Sequence, residues 1–434
     1  MSQKQVPSEG QSPVQKPVDP EAEVEKYGFG SSWLPLMLLL PPLVYYMWIC
    51  MADHQGALYL PTSGAELLGL LQRVPAPTVA SVAFVVLWFG GQILLQLYAP
   101  GRWVEGTPLD DGSRLPYKMN GWAALWITLL GAGLVCWMGW VPATFLWDEL
   151  GPILTTITLL SYGLSIFLYR KGRASPEKGT TGRVMYDFFI GTQLNPRIGR
   201  FDLKLFCEAR PGLLLWVLIN LSVAAKQWQV HHTVSTPMIA VCLFQLFYIV
   251  DYYFHEEAIL STWDVKHERF GWMLCFGDLV WVPFTYSLQA QYLLSHPRDL
   301  PTWATLGIIV LNVVGYVVFR GTNLQKHRFG RNPERPIWGK PAKFIQTARG
   351  TKLLASGFWG IARHLNYCGD LMMALAWCLT CGVSNLLPYF YILYFTWLLV
   401  HRERRDDAFC HAKYGTDWEE YRRRVPWRIF PGIY

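Results

Sequence analysis

Ten apolar runs, most of them long enough to cross a bilayer, decide what this chain can fold into. A spanning helix needs about 20 mostly apolar residues. Inside lipid, only a helix or a closed barrel satisfies its own backbone. In chain order the runs are Trp33 to Met51, Thr78 to Tyr98, Trp122 to Val141, Ile153 to Tyr169 and Gly212 to Ala225. They continue with Pro237 to Phe254, Trp272 to Leu294, Trp303 to Phe319, Leu371 to Cys381 with its flanks, and Leu386 to Val400. The fifth and ninth are short, which tilting, breaking or burial among neighbours accommodates. The expected fold is all-α, a polytopic membrane protein of about ten transmembrane helices. Only 16% of the residues are charged, against about a quarter in soluble domains. Residues 1–30 are polar and rich in Pro, Ser, Gln and Glu, so they read as a disordered tail, and 31–434 as a single integral membrane domain.

Loop charge orients the helices. With the N-terminus cytosolic, the loops and tails on its side hold all of the 38 Lys and Arg except Arg73, Lys226 and Arg298. The positive-inside rule then places both termini in the cytosol. The segment 320–352 alone carries nine Lys and Arg against one acid, Glu334. It reads either as a lipid-headgroup or topogenic loop or as a docking surface for a phosphorylated cofactor. The nine Cys are scattered, mostly inside apolar runs, and Cys378 and Cys381 read as small core residues rather than ligands.

Polar residues set against apolar runs mark the candidate sites. Gly182 to Gly212 mixes aromatics with Asp187, Asn195, Arg197, Asp202, Lys204, Glu208 and Arg210, and is expected along the membrane surface. Asp251, Glu256 and Asp278 lie in or beside the sixth and seventh runs. Acids at membrane depth are costly and usually face the bundle interior, so these three are candidates for the substrate pocket, with a structural role as the alternative. His255-Glu256-Glu257 lacks the spacing of a zinc motif, and no metal site is expected. Near the C-terminus, Arg363, His364, Asn366 and Asp370 open one apolar helix, and His401 to Asp407 follow YFYILYFTWLLV directly. Two such clusters on neighbouring helices can close on one anionic ligand. There is no GxGxxG after a strand and no Walker A or GxSxG motif, so a dinucleotide would have to be held by helix ends and basic side chains.

Two long ungapped stretches make a resemblance specific. YDFFIGTQLNPRIG (186–199) resembles the first signature of the sterol reductase family, and LLVHRERRDDAFCHAKYG (398–415) the second. FHEEAILSTWDV (254–265), VPFTYSLQAQYLL (282–294) and MALAWCLTCGVSNLLPYFY (373–391) are similar to Δ14-sterol reductases, whereas SGFWGIARHLNYCGD (356–370) is similar to the 7-dehydrocholesterol branch. The resemblance covers residues 186–434 best. It implies N-terminal helices over 31–170, a catalytic region over 182–434, and NADPH-dependent reduction of a sterol double bond. The implied cofactor pocket lies between the C-terminal helices and opens to the cytosol. Matched motif by motif, its contacts fall on Lys326, Leu354, Trp359, Asn366, Tyr367, Arg402, Asp406, Cys410, His411, Ala412, Lys413, Tyr414 and Tyr421, and Arg363 of the polar cluster joins them. Where the family commonly has a basic residue this chain has Gly330, leaving Arg331 or Arg328 for the cofactor's 2′-phosphate.

The chemistry adds a requirement. An isolated alkene takes a hydride only after protonation, so a Δ8,14 sterol would receive a proton at carbon 15 and a hydride at carbon 14. An acid must face the hydride donor across a dry cavity, and aromatic walls would stabilise the cation. Tyr248, Asp406 and Tyr421 are the catalytic candidates. A Δ7 reductase of the same family is the alternative, and a membrane methyltransferase using S-adenosylmethionine a more distant one. The expected partners are a sterol and the bilayer, with no nucleic acid. The expected location is the endoplasmic reticulum of a eukaryote or a bacterial inner membrane.

Overall fold

The computed structural model describes residues 33–109, 112–175 and 179–434, so the tail expected over 1–30 lies outside the described residues. Helices α1 (Trp33–Asp53), α2 (Val79–Tyr98), α3 (Gly121–Trp137), α4 (Leu150–Arg173), α5 (Pro211–His231) and α6 (Thr236–Phe254) fall on the first six apolar runs. Further on come α7 (Thr302–Arg331), α8 (Leu365–Leu379), α9 (Phe390–Tyr414) and α10 (Thr416–Arg424). Among the described residues, six helices are long and apolar enough to cross a membrane: α1, α2, α4, α5 with the turn before it, α6 and α7. Helices α3 and α8 are shorter apolar helices. The described residues divide into two compact units, one of 33–314 with 372–394, the other of 315–371 with 395–434.

In the larger unit, α5 is the central element. In the segment that ends with α5, 83% of the best apolar window is buried, against 17% in α7. The expected single helix over Trp272 to Leu294 is not formed. It breaks into Trp272–Phe276, a π turn over Gly277–Trp281, and short helices Val282–Thr285 and Leu288–Ser295. Pro283 lacks a backbone N–H and its ring crowds the preceding turn, and the π turn absorbs the displaced carbonyls. Gly212 of α5 packs directly on this break, where a Cβ would overlap the carbonyl oxygen of Asp278.

Helix ends in an apolar surround need partners for their free backbone groups. Thr78 and Ser81 form a capping box at the start of α2. At its end, the Asn120 amide donates to the carbonyls of Leu95, Gln96 and Ala99 at 2.9, 3.1 and 3.2 Å. Arg210 then holds Asn120 at 2.8 Å, Gln96 at 2.9 Å and Glu256 at 2.6 Å. Lys204 donates to the carbonyls of Asp264, Val265 and Glu268 at 2.8–3.0 Å, closing the helix Trp263–His267. Asp187, Asp202, Lys204 and Arg210 are all buried. Most of 201–212 is thus protein interior, whereas 182–185 and 198–200 are exposed. The buried charges of 182–212 serve as caps, and this stretch contains a hairpin of β3 (Arg197–Ile198) with β4 (Phe201–Asp202), after an earlier hairpin of β1 (Arg102–Glu105) with β2 (Pro116–Met119).

The smaller unit carries a third hairpin, β5 (Phe344–Gln346) with β6 (Lys352–Leu354), in register Phe344 to Leu354. Ile345 packs with Trp418, Tyr421 and Val425, and Leu354 packs with Phe329 and Trp359.

Replacing Gly212 by Ala should lower the stability of the detergent-solubilised protein by about 1–3 kcal/mol, as overpacking does. Gly163→Ala, where a Cβ meets nothing within 4 Å, should be neutral or stabilising. Indistinguishable thermal unfolding of the two variants would contradict the close contact between α5 and the π turn.

Candidate active site

Most of the C-terminal candidates lie in the smaller unit, where the chain brings them into three groups. In the first, the Lys326 ammonium sits 4.3 Å from the centre of the Trp359 ring. The Trp359 indole donates to the Thr322 carbonyl at 2.9 Å, and the Tyr421 hydroxyl reaches the Trp359 carbonyl at 3.5 Å. Leu354 packs beside Trp359. Tyr421 is buried, and burial pushes its phenol well above the ordinary range, so it keeps its proton at neutral pH. Cys410 and Tyr414 pack against the same cluster, and burial likewise holds the Cys410 thiol protonated.

In the second group, His364 Nε2 lies 3.4 Å from Asp406 Oδ2, and its ring stacks on Tyr367 at 4.8 Å and 15°. Asn366 donates to Asn323 at 3.3 Å, while its own Oδ1 is buried without a hydrogen-bond partner. Arg402 lies one turn before Asp406 on α9. Further along, His411 faces Glu419 at 3.3 Å and Lys413 lies 5.3 Å from the centre of the Tyr414 ring. Ala412 lies between them on the same turn of α9.

The third group is a closed ion-pair network that the sequence did not reveal. Glu403 is fully buried and takes Arg428 at 2.9 Å and the Tyr434 hydroxyl at 3.2 Å. Asp407 accepts from the Trp418 indole at 2.9 Å and from Arg422 Nε at 3.0 Å. Arg363 lies 3.7 Å from Glu403 and 3.8 Å from Asp407, and donates to the carbonyls of Val425 and Pro426. With both terminal nitrogens engaged, Arg363 ties the start of α8 to α9 and the C-terminal segment, while its buried Nε has no hydrogen-bond partner.

Gly330 follows Lys326 by one helical turn and has open space around it. At 3.6 residues per turn, Arg331 and Arg328 lie roughly 140° and 160° around α7 from Lys326. Both therefore lie on other faces of α7 than Lys326, whereas Gly330 shares its face.

Tyr248 belongs to the larger unit, in a box of aromatic rings. Trp377 meets it edge-on at 5.4 Å, Trp216 lies at 6.4 Å, Tyr286 meets Trp216 at 5.3 Å, and Tyr391 stacks on Trp377 at 5.5 Å. Below it, Gln245 accepts from Trp216 and Asn220 at 2.9 and 2.6 Å and donates to Gln289 at 3.2 Å. Trp216 and Trp377 are both 1% exposed, so they are box walls and not the interfacial anchors that a Trp count suggests. The only sequence signal was their position inside otherwise aliphatic runs. Of the acids near the sixth and seventh runs, Glu256 is used up by Arg210 and the Gly121 N–H at 2.8 Å. Asp251 contacts His255 at 3.3 Å, and Asp278 sits in the π turn with one buried oxygen lacking a hydrogen bond.

Burial opposes ionisation of Asp407, but hydrogen bonds from Arg422 and Trp418 outweigh it and hold its pKa below the usual carboxylate value. Its pairing therefore contributes full stability above the unfolded pKa, about 3.9, and that contribution is lost as pH falls through the lower folded value. Asp407→Asn should cost roughly 1.5–3 kcal/mol at neutral pH. It should also flatten the loss of stability below about pH 4. Melting curves of both proteins across that range check it, and parallel curves would remove Asp407 from the network.

Comparison with known proteins follows the same residues. A family profile described as the Ergosterol biosynthesis ERG4/ERG24 family matches residues 21–434. A protein of Methylotuvimicrobium alcaliphilum named Delta(14)-sterol reductase is 55% identical over 95% of this chain and 97% of its own length. One of the same name from Dictyostelium discoideum is 46% identical over 92% of this chain and 89% of its own length. The chicken protein named Delta(14)-sterol reductase LBR is 42% identical over 95% of this chain and 65% of its own length. A profile match running from ahead of α1 to the last residue takes in both the aromatic box and the C-terminal clusters, and the chain belongs to the Ergosterol biosynthesis ERG4/ERG24 family.

Proposed function

We propose that this protein is a Δ14-sterol reductase, reducing the carbon 14–15 double bond of a Δ8,14 sterol with NADPH. The observation that carries the reading is the relative named Delta(14)-sterol reductase, 55% identical over 95% of this chain. The aromatic box around Tyr248 supports it independently. A ring of Trp and Tyr faces in an apolar bundle suits a rigid polycyclic hydrocarbon, and would lower the energy of a cation formed on it.

The smaller unit's residues fit a nicotinamide dinucleotide. The buried Asn366 Oδ1 lacks a donor, as a carboxamide or ribose hydroxyl would supply. Lys326 over Trp359 offers a cation for phosphate beside an aromatic face. Tyr367, Arg402, Asp406, His411, Lys413 and Tyr414 would complete the cradle, with Arg363 positioning it through Glu403 and Asp407. The bound nicotinamide supplies a hydride. The chain's own residues supply the proton. Tyr248, Asp406 or Tyr421 donates it to carbon 15, the aromatic box holds the resulting cation at carbon 14, and the buried surround excludes water that would otherwise add to it. Asp406, backed by His364, can relay the replacement proton. Both termini and this cradle lie on the cytosolic side in the reading that the loop charges favour.

Two sets of measurements test the proposal. Tyr248→Phe, Asp406→Asn and Tyr421→Phe should each retain cofactor binding, and the variant that lacks the true donor should lose turnover by roughly 10²–10⁴. Product from a Δ8,14 sterol is followed by mass spectrometry, with a Δ7 sterol in parallel. Full activity in all three variants removes the donor assignment, and reduction of the Δ7 sterol alone moves the protein to the other branch.

For the cofactor, Lys326→Ala should weaken NADPH about tenfold or more, as loss of a charge-assisted contact does, and leave NADH unchanged. Gly330→Arg should tighten NADPH selectively, because it adds a cation one turn along the same face. Equal NADPH and NADH affinities in the parent protein would refute the selectivity.

A further inference from the structure

The cofactor reading uses only part of the basic segment 320–352. Arg328 and Arg335 border a different feature of the smaller unit, a half-open cavity of about 240 Å³ whose walls include Gly321, Gln325, Trp338 and Phe358. Gly321, Gln325 and Arg328 lie within about 60° of one another on α7, on the side away from Lys326. The turn Gly357–Gly360 divides the two places. Its Trp359 goes to Lys326 and Thr322, whereas Phe358 goes to the cavity, its N–H on Gln325 at 2.8 Å and its ring on Gly321.

Three observations point to an occupant. Neither Arg328 nor Arg335 forms an ion pair with any described residue, so two guanidiniums share one concave site without a counter-charge. Trp338 stands at the mouth, 62% exposed and edge-on to Phe358 at 5.1 Å. It is held there by a tight turn, with Ile337 and Lys340 exchanging backbone hydrogen bonds at 2.8 and 3.1 Å, and with φ of +50° at Trp338 and +76° at Gly339. The first central position of such a turn favours Asn, Asp or Gly. A bulky residue there is strained, yet Trp338 occupies it with its indole in the open. The third observation is depth. The apolar run of α7 ends at Phe319. At 1.5 Å per residue, Gly321 lies about 3 Å and Arg328 about 14 Å past it, while the headgroup layer is roughly 5–7 Å thick. The cavity thus begins at the level of lipid headgroups, at Gly321, and extends beyond them toward Arg328, whose long side chain can reach back to a phosphate, on a helix that protein covers sparsely.

We propose that this cavity binds the headgroup of an anionic glycerophospholipid. Arg328 and Arg335 take the phosphate, Trp338 and Phe358 pack on the glycerol backbone, and the acyl chains run along α7. The site is separate from the cofactor cradle and does not depend on which reaction the protein catalyses.

The test uses the full chain in neutral detergent, with dioleoyl phosphatidylglycerol or dioleoyl phosphatidylcholine added and retained lipid counted by native mass spectrometry. One phosphatidylglycerol should be retained in preference to phosphatidylcholine. Arg328→Gln with Arg335→Gln should weaken retention about twentyfold, and Arg349→Gln, an exposed cation of the same segment, should leave it unchanged. Trp338→Gly relieves the backbone strain, so it should keep or raise the melting temperature while weakening phosphatidylglycerol retention. Equal retention of the two lipids, or unchanged retention in both the double variant and Trp338→Gly, would overturn the proposal. Displacement of phosphatidylglycerol by sn-glycerol 3-phosphate at equal concentration would also overturn it, by making the site one for a free anion.

Discussion

A polar group buried among apolar helices has no water to fall back on, and that constraint shapes both units of this chain. Arg210 is the clearest case in the larger unit. It is 1% exposed, and its partners Asn120, Gln96 and Glu256 are themselves tied to the end of α2 and the start of α3. One guanidinium thereby closes two helix termini. Lys204 does the same for the turn at Trp263–His267. In the smaller unit, Glu403 and Asp407 are paired with Arg363, Arg422, Arg428 and Trp418. Breaking any of these pairs leaves a buried charge uncompensated.

That physics explains what was legible in the sequence. Apolar runs report the composition of a helix, and α1, α2, α4 and α6 fall close to the expected bounds. They do not report hydrogen-bond geometry inside a run, so the break at Gly277–Trp281 was not read from the composition, although Gly277, Asp278 and Pro283 mark it in the sequence. Composition also misled over 182–212. Ten charged or amide side chains in one stretch suggest a wet surface, yet Lys204 and Arg210 are buried because their partners come from residues 46 or more positions away. Pairing over such separations leaves no local pattern.

The candidate site divides along the same line. The residues matched by signature, such as Asn366, Asp406 and Tyr421, sit on or beside continuous helices, so their spacing survives as a readable motif. The aromatic box does not. Trp216, Tyr248, Tyr286, Trp377 and Tyr391 come from α5, α6, the broken seventh run, α8 and α9. Only one of the five, Tyr248, was singled out. The same distinction separates Arg363 from its neighbours. Sequence places it in a polar cluster with His364 and Asn366, and only the carbonyls of Val425 and Pro426 reveal that it braces the fold.

The proton donor can be narrowed by asking what each environment does to an acid. Tyr421 is a phenol that burial pushes further from ionisation. Donating its proton would leave a buried phenolate, a costly product unless the nearby Arg363 charge offsets it. Asp406 has His364 at 3.4 Å, a partner that can return a proton after each turnover. Of the three, Tyr248 alone belongs to the aromatic box, where a sterol ring system would be held. The proposed roles follow these environments: Tyr248 would meet the alkene, Asp406 with His364 would exchange protons within the smaller unit, and Tyr421, fixed on the Trp359 carbonyl, would shape the cofactor side. On that reading Tyr248→Phe is the variant that loses turnover by roughly 10²–10⁴, whereas Tyr421→Phe keeps it, because the Tyr421 hydroxyl faces the segment carrying Trp359 rather than the sterol.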